Sequence, residues 1–148
     1  MPVLRGLLKA EGALVDIIVA WSVPGAAQLR SALRPVPPPV NARAVVDTGA
    51  EITCLHFGLI QMLGLPSAGT VLSNLPAHGG LTLSPLHDAS LTIVHPSGNA
   101  HDNLVIRNLS VLELSLAPLG YEALLGRDVL ANCQFLYSGV RKRFRLAY

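Results

Sequence analysis

The chain has 148 residues, of which 51% are hydrophobic and 14% charged, with a net charge of +2. That length carries one domain with a proper core, and so small a charge gives no argument for a nucleic-acid partner. Thirteen glycines and eleven prolines supply many turns, which favours a mainly β fold over a helical bundle.

Taken in order, residues 1–12 read as an N-terminal segment. Leu4 to Leu8 is too short for the apolar region of a secretory leader, and Lys9 and Glu11 break the apolar run beyond it. Ala13 to Trp21 is a β-branched run and a first strand, with Asp16 turned to solvent. It is too short to span a bilayer, so the expectation is a cytoplasmic chain with no membrane partner. Residues 24–41 read as a proline-rich loop, because proline cannot donate to a sheet ladder. A Pro-x-x-Pro ligand for another protein is the weaker reading of that stretch.

Ala44 to Val46 is an apolar run that ends on Asp47, followed by Thr48, Gly49, Ala50 and Glu51. An acid at the end of a buried strand is costly unless paired or hydrogen-bonded. Such a placement is how a carboxylate is tuned for chemistry, although Asp-Thr-Gly after a strand is also a common turn. Leu55, Leu59, Met62 and Leu63 then fall at helical spacing, with Gly64 to stop the helix. Residues 70–84 read as a hairpin: Thr70 to Leu75 is one strand, residues 76–80 the turn, and Leu81 to Leu83 the start of the return. Ala89 to His95, Leu104 to Ile106 and Leu109 to Leu116 are further strand candidates.

Leu119 to Leu125 leads into Gly126, Arg127 and Asp128, a second apolar run closed by glycine and polar residues. One or two helical turns come next, to Cys133, and Phe135 to Tyr148 reads as a terminal hairpin. The basic residues Arg141, Lys142, Arg143 and Arg145 within it read as a solvated strand or turn. Cys54 and Cys133 are too few for a disulfide framework, and Cys54 reads as a small buried hydrophobe. His56, His87, His95 and His101 show no metal-ligand spacing, so no metal and no cofactor is expected.

The Asp47-Thr48-Gly49-Ala50 segment and the later Leu124-Leu125-Gly126-Arg127-Asp128 segment, in that order, resemble the retropepsin-like aspartic proteases, the retroviral-type family within the pepsin clan. The resemblance covers roughly Leu14 to the C-terminus. It implies a closed acid-protease β-barrel with one or two short helices, and two pseudo-equivalent halves centred on the two segments. It implies an aspartic endopeptidase in which two carboxylates share a proton and activate water. This chain has one Asp-Thr-Gly, so the family pattern implies a homodimer with Asp47 from each copy and a peptide or protein as substrate. Asp128 falls where the family places a structural residue.

By the same resemblance Thr48 would bond across the dimer axis, Gly49 would offer its carbonyl to substrate, and Ala50 would stay small where substrate passes. Glu51 stands where retroviral enzymes carry aspartate, and an ion pair with Arg127 would tie the two segments together. The hairpin 70–84 would be the flap, with Ala77, His78, Gly79 and Gly80 at its tip. Pro76, Ala77 and His78 replace the usual glycines there, and His78 could touch substrate or the partner flap. The competing readings are a catalytically weak or inactive retropepsin-fold binding module and, third, a self-processing domain of a longer polypeptide.

Overall fold

The computed structural model describes residues 1–75, 79–116 and 119–148. Ten strands and three short α-helices run in the order β1 (Val3–Leu7), β2 (Leu14–Trp21), α1 (Val23–Ser31), β3 (Val40–Val46), β4 (Cys54–His56), α2 (Phe57–Leu63), β5 (Ser67–Leu75), β6 (Gly80–Ile93), β7 (Leu104–Leu114), β8 (Ala123–Leu125), α3 (Arg127–Leu130), β9 (Gln134–Ser138) and β10 (Arg143–Ala147).

Six strands close on themselves in the order β2-β3-β8-β4-β7-β6, with β6 returning to pair β2. This is the closed, mainly β barrel expected from the sequence. Strand β5 hangs on the outer side of β6. The alternation of β2 shows why the barrel forms: Val15, Ile17 and Val19 are buried on one face and Asp16 is exposed on the other. Leu55, Leu91, Ile93, Val111 and Leu125 complete the interior, and Leu59, Ile60 and Leu63 of α2 join it. Each such side chain contributes about 1.5–3 kcal/mol when fully buried. Gly64 ends α2 in the left-handed conformation at φ 61°, where a Cβ would be strained.

Three findings differ from the sequence reading. The first part of the proline-rich stretch is a helix, α1, and only residues 34–39 lack regular structure. Ser22 caps it by accepting from the Gly25 N–H at 3.1 Å, and Pro24 sits in the first turn, where its missing N–H costs nothing. Strand β6 is continuous over 14 residues, and β7 over 11, where the sequence suggested interrupted pieces. The N-terminal segment holds a strand. β1 pairs β10 antiparallel, Val3 opposite Ala147 and Arg5 opposite Arg145, and β10 pairs β9. This second sheet packs on the barrel through Leu4, Phe144 and Leu146. Gly6 lies under the Phe144 ring, and a Cβ there would fall 2.4 Å from a ring carbon.

No helix among the described residues is long and apolar enough to cross a membrane.

Candidate active site

The two glycine-closed segments lie side by side. β3 and β8 are parallel neighbours, Ala44 opposite Ala123 and Val46 opposite Leu125, and β4 runs antiparallel on the far side of β8. The loop 47–53 therefore crosses over the end of β8 to travel from β3 to β4. The chain leaving β8 passes directly beneath that loop. A Cβ on Gly126 would lie 2.7 Å from the Ile52 carbonyl carbon and 2.9 Å from the Thr53 nitrogen, both main-chain atoms that cannot step aside. Glycine is required here by close backbone approach.

Asp47 sits half-buried at the end of β3. Its N–H donates to the Leu125 carbonyl at 3.0 Å, and its Oδ1 accepts from the Gly49 N–H at 2.9 Å. Its own carbonyl accepts from the Ala50 N–H at 3.2 Å, closing the turn. Thr48 and Gly49 are exposed at the loop's crest, and Ala50 is half-buried. The Thr48 hydroxyl takes part in none of the hydrogen bonds among the described residues.

Asp128 holds this arrangement from below. Its Oδ2 accepts from the Thr53 N–H at 2.9 Å, and its Oδ1 accepts from the Thr53 hydroxyl at 2.7 Å and the Val129 N–H at 2.8 Å. The Thr53 oxygen in turn accepts from the fully buried Gly126 N–H at 3.0 Å. Three donors occupy the Asp128 carboxylate, so it is a brace for the loop. The lock joins residues 75 positions apart, and sequence reasoning missed Thr53 for that reason. The available signal was a hydroxyl residue immediately before a strand and an acid just after a required glycine.

Glu51 and Arg127 do not form the expected ion pair. The ion pairs found among the described residues are Arg43–Asp16, His87–Glu113 and His95–Asp102. The backbone ties the segments instead: the Arg127 N–H donates to the Ala50 carbonyl at 2.8 Å and the Asp128 N–H to the Glu51 carbonyl at 3.3 Å. The Arg127 guanidinium donates from Nη1 to the Thr48 carbonyl at 3.3 Å. The Glu51 side chain is exposed to solvent.

Beside Asp47 stands an apolar wall that the sequence reading did not assemble. Cys54, Leu112, Leu114 and Leu116 are buried together, with Ile52, Val71, Leu86 and Leu124 packed against them. Val71 comes from the hairpin, so β5 and β6 reach over the same side of the molecule as the loop 47–53. Burial pushes the Cys54 thiol up to about 12, helped by the negative charges of Asp128 and then Asp47. It donates to the Ile52 carbonyl at 3.3 Å and behaves as the small hydrophobe expected.

The hairpin is present where residues 70–84 placed it, with Leu75 opposite Gly80 as its last rung. Gly79 and Gly80 take φ of +88° and +110°, a turn conformation open to glycine. Ala77 and His78 lie outside the described residues. Among the other histidines, His56 accepts at Nδ1 from the Leu116 N–H, and His87 is buried between the Pro66 carbonyl and Glu113.

Among solved structures, the chain is similar to a retropepsin-like aspartic protease from Rickettsia conorii. The match spans 99% of this chain and 90% of that one, with a TM-score of 0.58 and 15% sequence identity. At that identity the likeness is one of fold. No family model matches the chain, and no curated protein sequence matches it.

Proposed function

We propose that this protein is an aspartic endopeptidase that works as a homodimer, each copy giving Asp47 to one shared dyad. One observation carries the reading. Asp47 ends its strand with a carboxylate held, among the described residues, only by its own turn, and the nearby acid Asp128 is engaged by Thr53 and Val129. A single copy therefore presents half of a two-carboxylate site.

Two like charges held close cannot both ionise, so the pair keeps one proton between its members. The ionised member takes a proton from water as the water oxygen bonds to the carbonyl carbon of the scissile amide, and the protonated member gives its proton to the carbonyl oxygen. The C–N bond then breaks as the first member passes its proton to the leaving nitrogen and a diol hydroxyl returns one to the second. Any titration belongs to the pair. The exposed Thr48 beside Asp47 would meet its counterpart in the second copy. The hairpin would cover a polypeptide lying across the loops, and the wall of Ile52, Leu112, Leu114 and Leu124 would take apolar side chains flanking the cleaved bond. The Rickettsia conorii structure supports the class of enzyme through its fold.

The test is cleavage of a diverse peptide mixture from about pH 3 to pH 8, comparing the protein with Asp47→Asn while its assembly is followed by sedimentation. Cleavage should follow the dimer and disappear in the variant. Excess Asp47→Asn should poison the unmodified protein by forming mixed dimers. Cleavage by the variant alone, or by a monomer, would refute the reading.

A further inference from the structure

The outer face of the β1-β10-β9 sheet takes no part in the site described above. The strands and turn of this sheet carry Arg5, Arg141, Lys142, Arg143 and Arg145 and no acidic residue, so the rest of this +2 chain is net negative. The register aligns Arg5 directly opposite Arg145, with Leu136 next in the same row, and Leu7 opposite Arg143. Like charges facing across a strand pair destabilise a sheet. The arginines border an open cleft of about 730 Å³ whose other walls include Leu7 and Leu136, 59% and 51% exposed. None of the ion pairs among the described residues neutralises any of them.

We infer that this cleft is a docking site for an extended acidic segment of another polypeptide, with acidic and aliphatic residues alternating along it. Arginine suits carboxylates because its planar fork grips both oxygens. Arg143 and Arg145 sit two residues apart on one strand face, about 7 Å, which matches alternate side chains of an extended peptide. Leu7 and Leu136 give the aliphatic residues of such a segment a surface to cover. β1 and β9 each have one sheet neighbour among the described residues, so their outer edges can also pair a strand. A nucleic acid is the poorer fit. Successive bases need a row of exposed rings to stack on, and of the two rings lining the cleft Phe144 is buried, which leaves Tyr137 alone. A second copy docked face to face would set arginine against arginine. The inference stands apart from the proteolytic reading, because binding needs no Asp47.

The probe is a fluorescein-labelled peptide of about ten residues alternating Glu and Val, read by anisotropy with the intact protein at low and moderate salt. An oligouridine of equal charge serves as competitor. Tight, salt-sensitive peptide binding is expected, weakened about tenfold by Arg143→Gln and again by Arg145→Gln, as the loss of one charged contact each predicts. Arg30→Gln and Arg107→Gln, on other surfaces, should bind as before. Arg145→Gln should also hold or raise the melting temperature, since it removes a like-charge pair, so weakened binding in it is not misfolding. No peptide binding, equal loss in the distant variants, or preference for oligouridine would overturn the proposal. Displacement of the peptide by self-association would assign the cleft to a second copy and overturn it as well.

Discussion

Replacing Thr53 with valine keeps the outline of the side chain and deletes one hydroxyl. Thr53 is fully buried, and that hydroxyl both donates to Asp128 at 2.7 Å and accepts from the Gly126 N–H at 3.0 Å. Losing a hydrogen bond to a charged partner costs about 1.5–3 kcal/mol, and stranding a buried N–H costs about 1–3 kcal/mol. The sum is about 2.5–6 kcal/mol, a large share of the roughly 5–15 kcal/mol that holds a domain folded. For a chain of this size that is a fall in melting temperature of about 5–24 °C. The lone Trp21, half-buried with its ring N–H on the Leu63 carbonyl, reports unfolding by fluorescence in urea. The midpoint should fall with the slope unchanged. Thr53→Ser keeps the hydroxyl and should cost only about 1 kcal/mol, for one buried methyl. A valine variant within about 1 kcal/mol of the unmodified protein, or a serine variant equally damaged, would refute the brace.

Gly126→Ala should leave little folded protein on expression, because its Cβ would meet main-chain atoms at 2.7 and 2.9 Å; a soluble variant with an unchanged melting temperature would contradict that close approach. Glu51→Ala should change stability by less than about 0.5 kcal/mol in the same urea titration, since the Glu51 side chain makes no ion pair; a loss above about 1 kcal/mol would restore the pair with Arg127. Cys54, held near 12, should resist iodoacetamide at pH 8 about a thousandfold better than a free thiol whose value is 9.0, read by mass spectrometry of the folded protein. The same shift has a fixed sign in stability. The unfolded thiol ionises first as pH rises, so stability is intact below 9.0 and falls toward 12, by up to about 1.4 kcal/mol per pH unit. A flat alkaline stability profile would contradict burial of that thiol.

Local grammar carried much of the fold. The apolar run into Asp47, the helical spacing from Leu55 to Leu63 with Gly64 after it, and the glycine turn at Gly79 and Gly80 each correspond to an element or a boundary in the structure. The illegible parts depend on partners far along the chain. β1 is a short strand that exists because β10 lies beside it, and nothing within residues 3–7 announces that. The Thr53–Asp128 brace spans 75 positions, and the apolar wall gathers residues from Ile52 to Leu124. Helix α1 lay inside the stretch read as a proline-rich loop, and the cap at Ser22 that starts it is known from the structure. The expected Glu51–Arg127 pair failed because spacing identifies charges and not the backbone bonds that occupy the same space.

The pairing of β1 with β10 also sets an order of events during synthesis. Val3 faces Ala147, and the Tyr148 N–H reaches the Pro2 carbonyl at 3.2 Å, so β1 waits for a strand made much later. At about 5–20 residues per second, a ribosome leaves β1 without its neighbour for roughly 7–30 s. Through that interval Leu4 has no sheet to fold into, and the edge of β1 is open to any extended chain nearby. Crowded polysomes should therefore trap this protein through its N-terminal strand. Substitutions that weaken β1 on its own, such as Leu4→Thr, should reduce that trapping while lowering the stability of the finished fold.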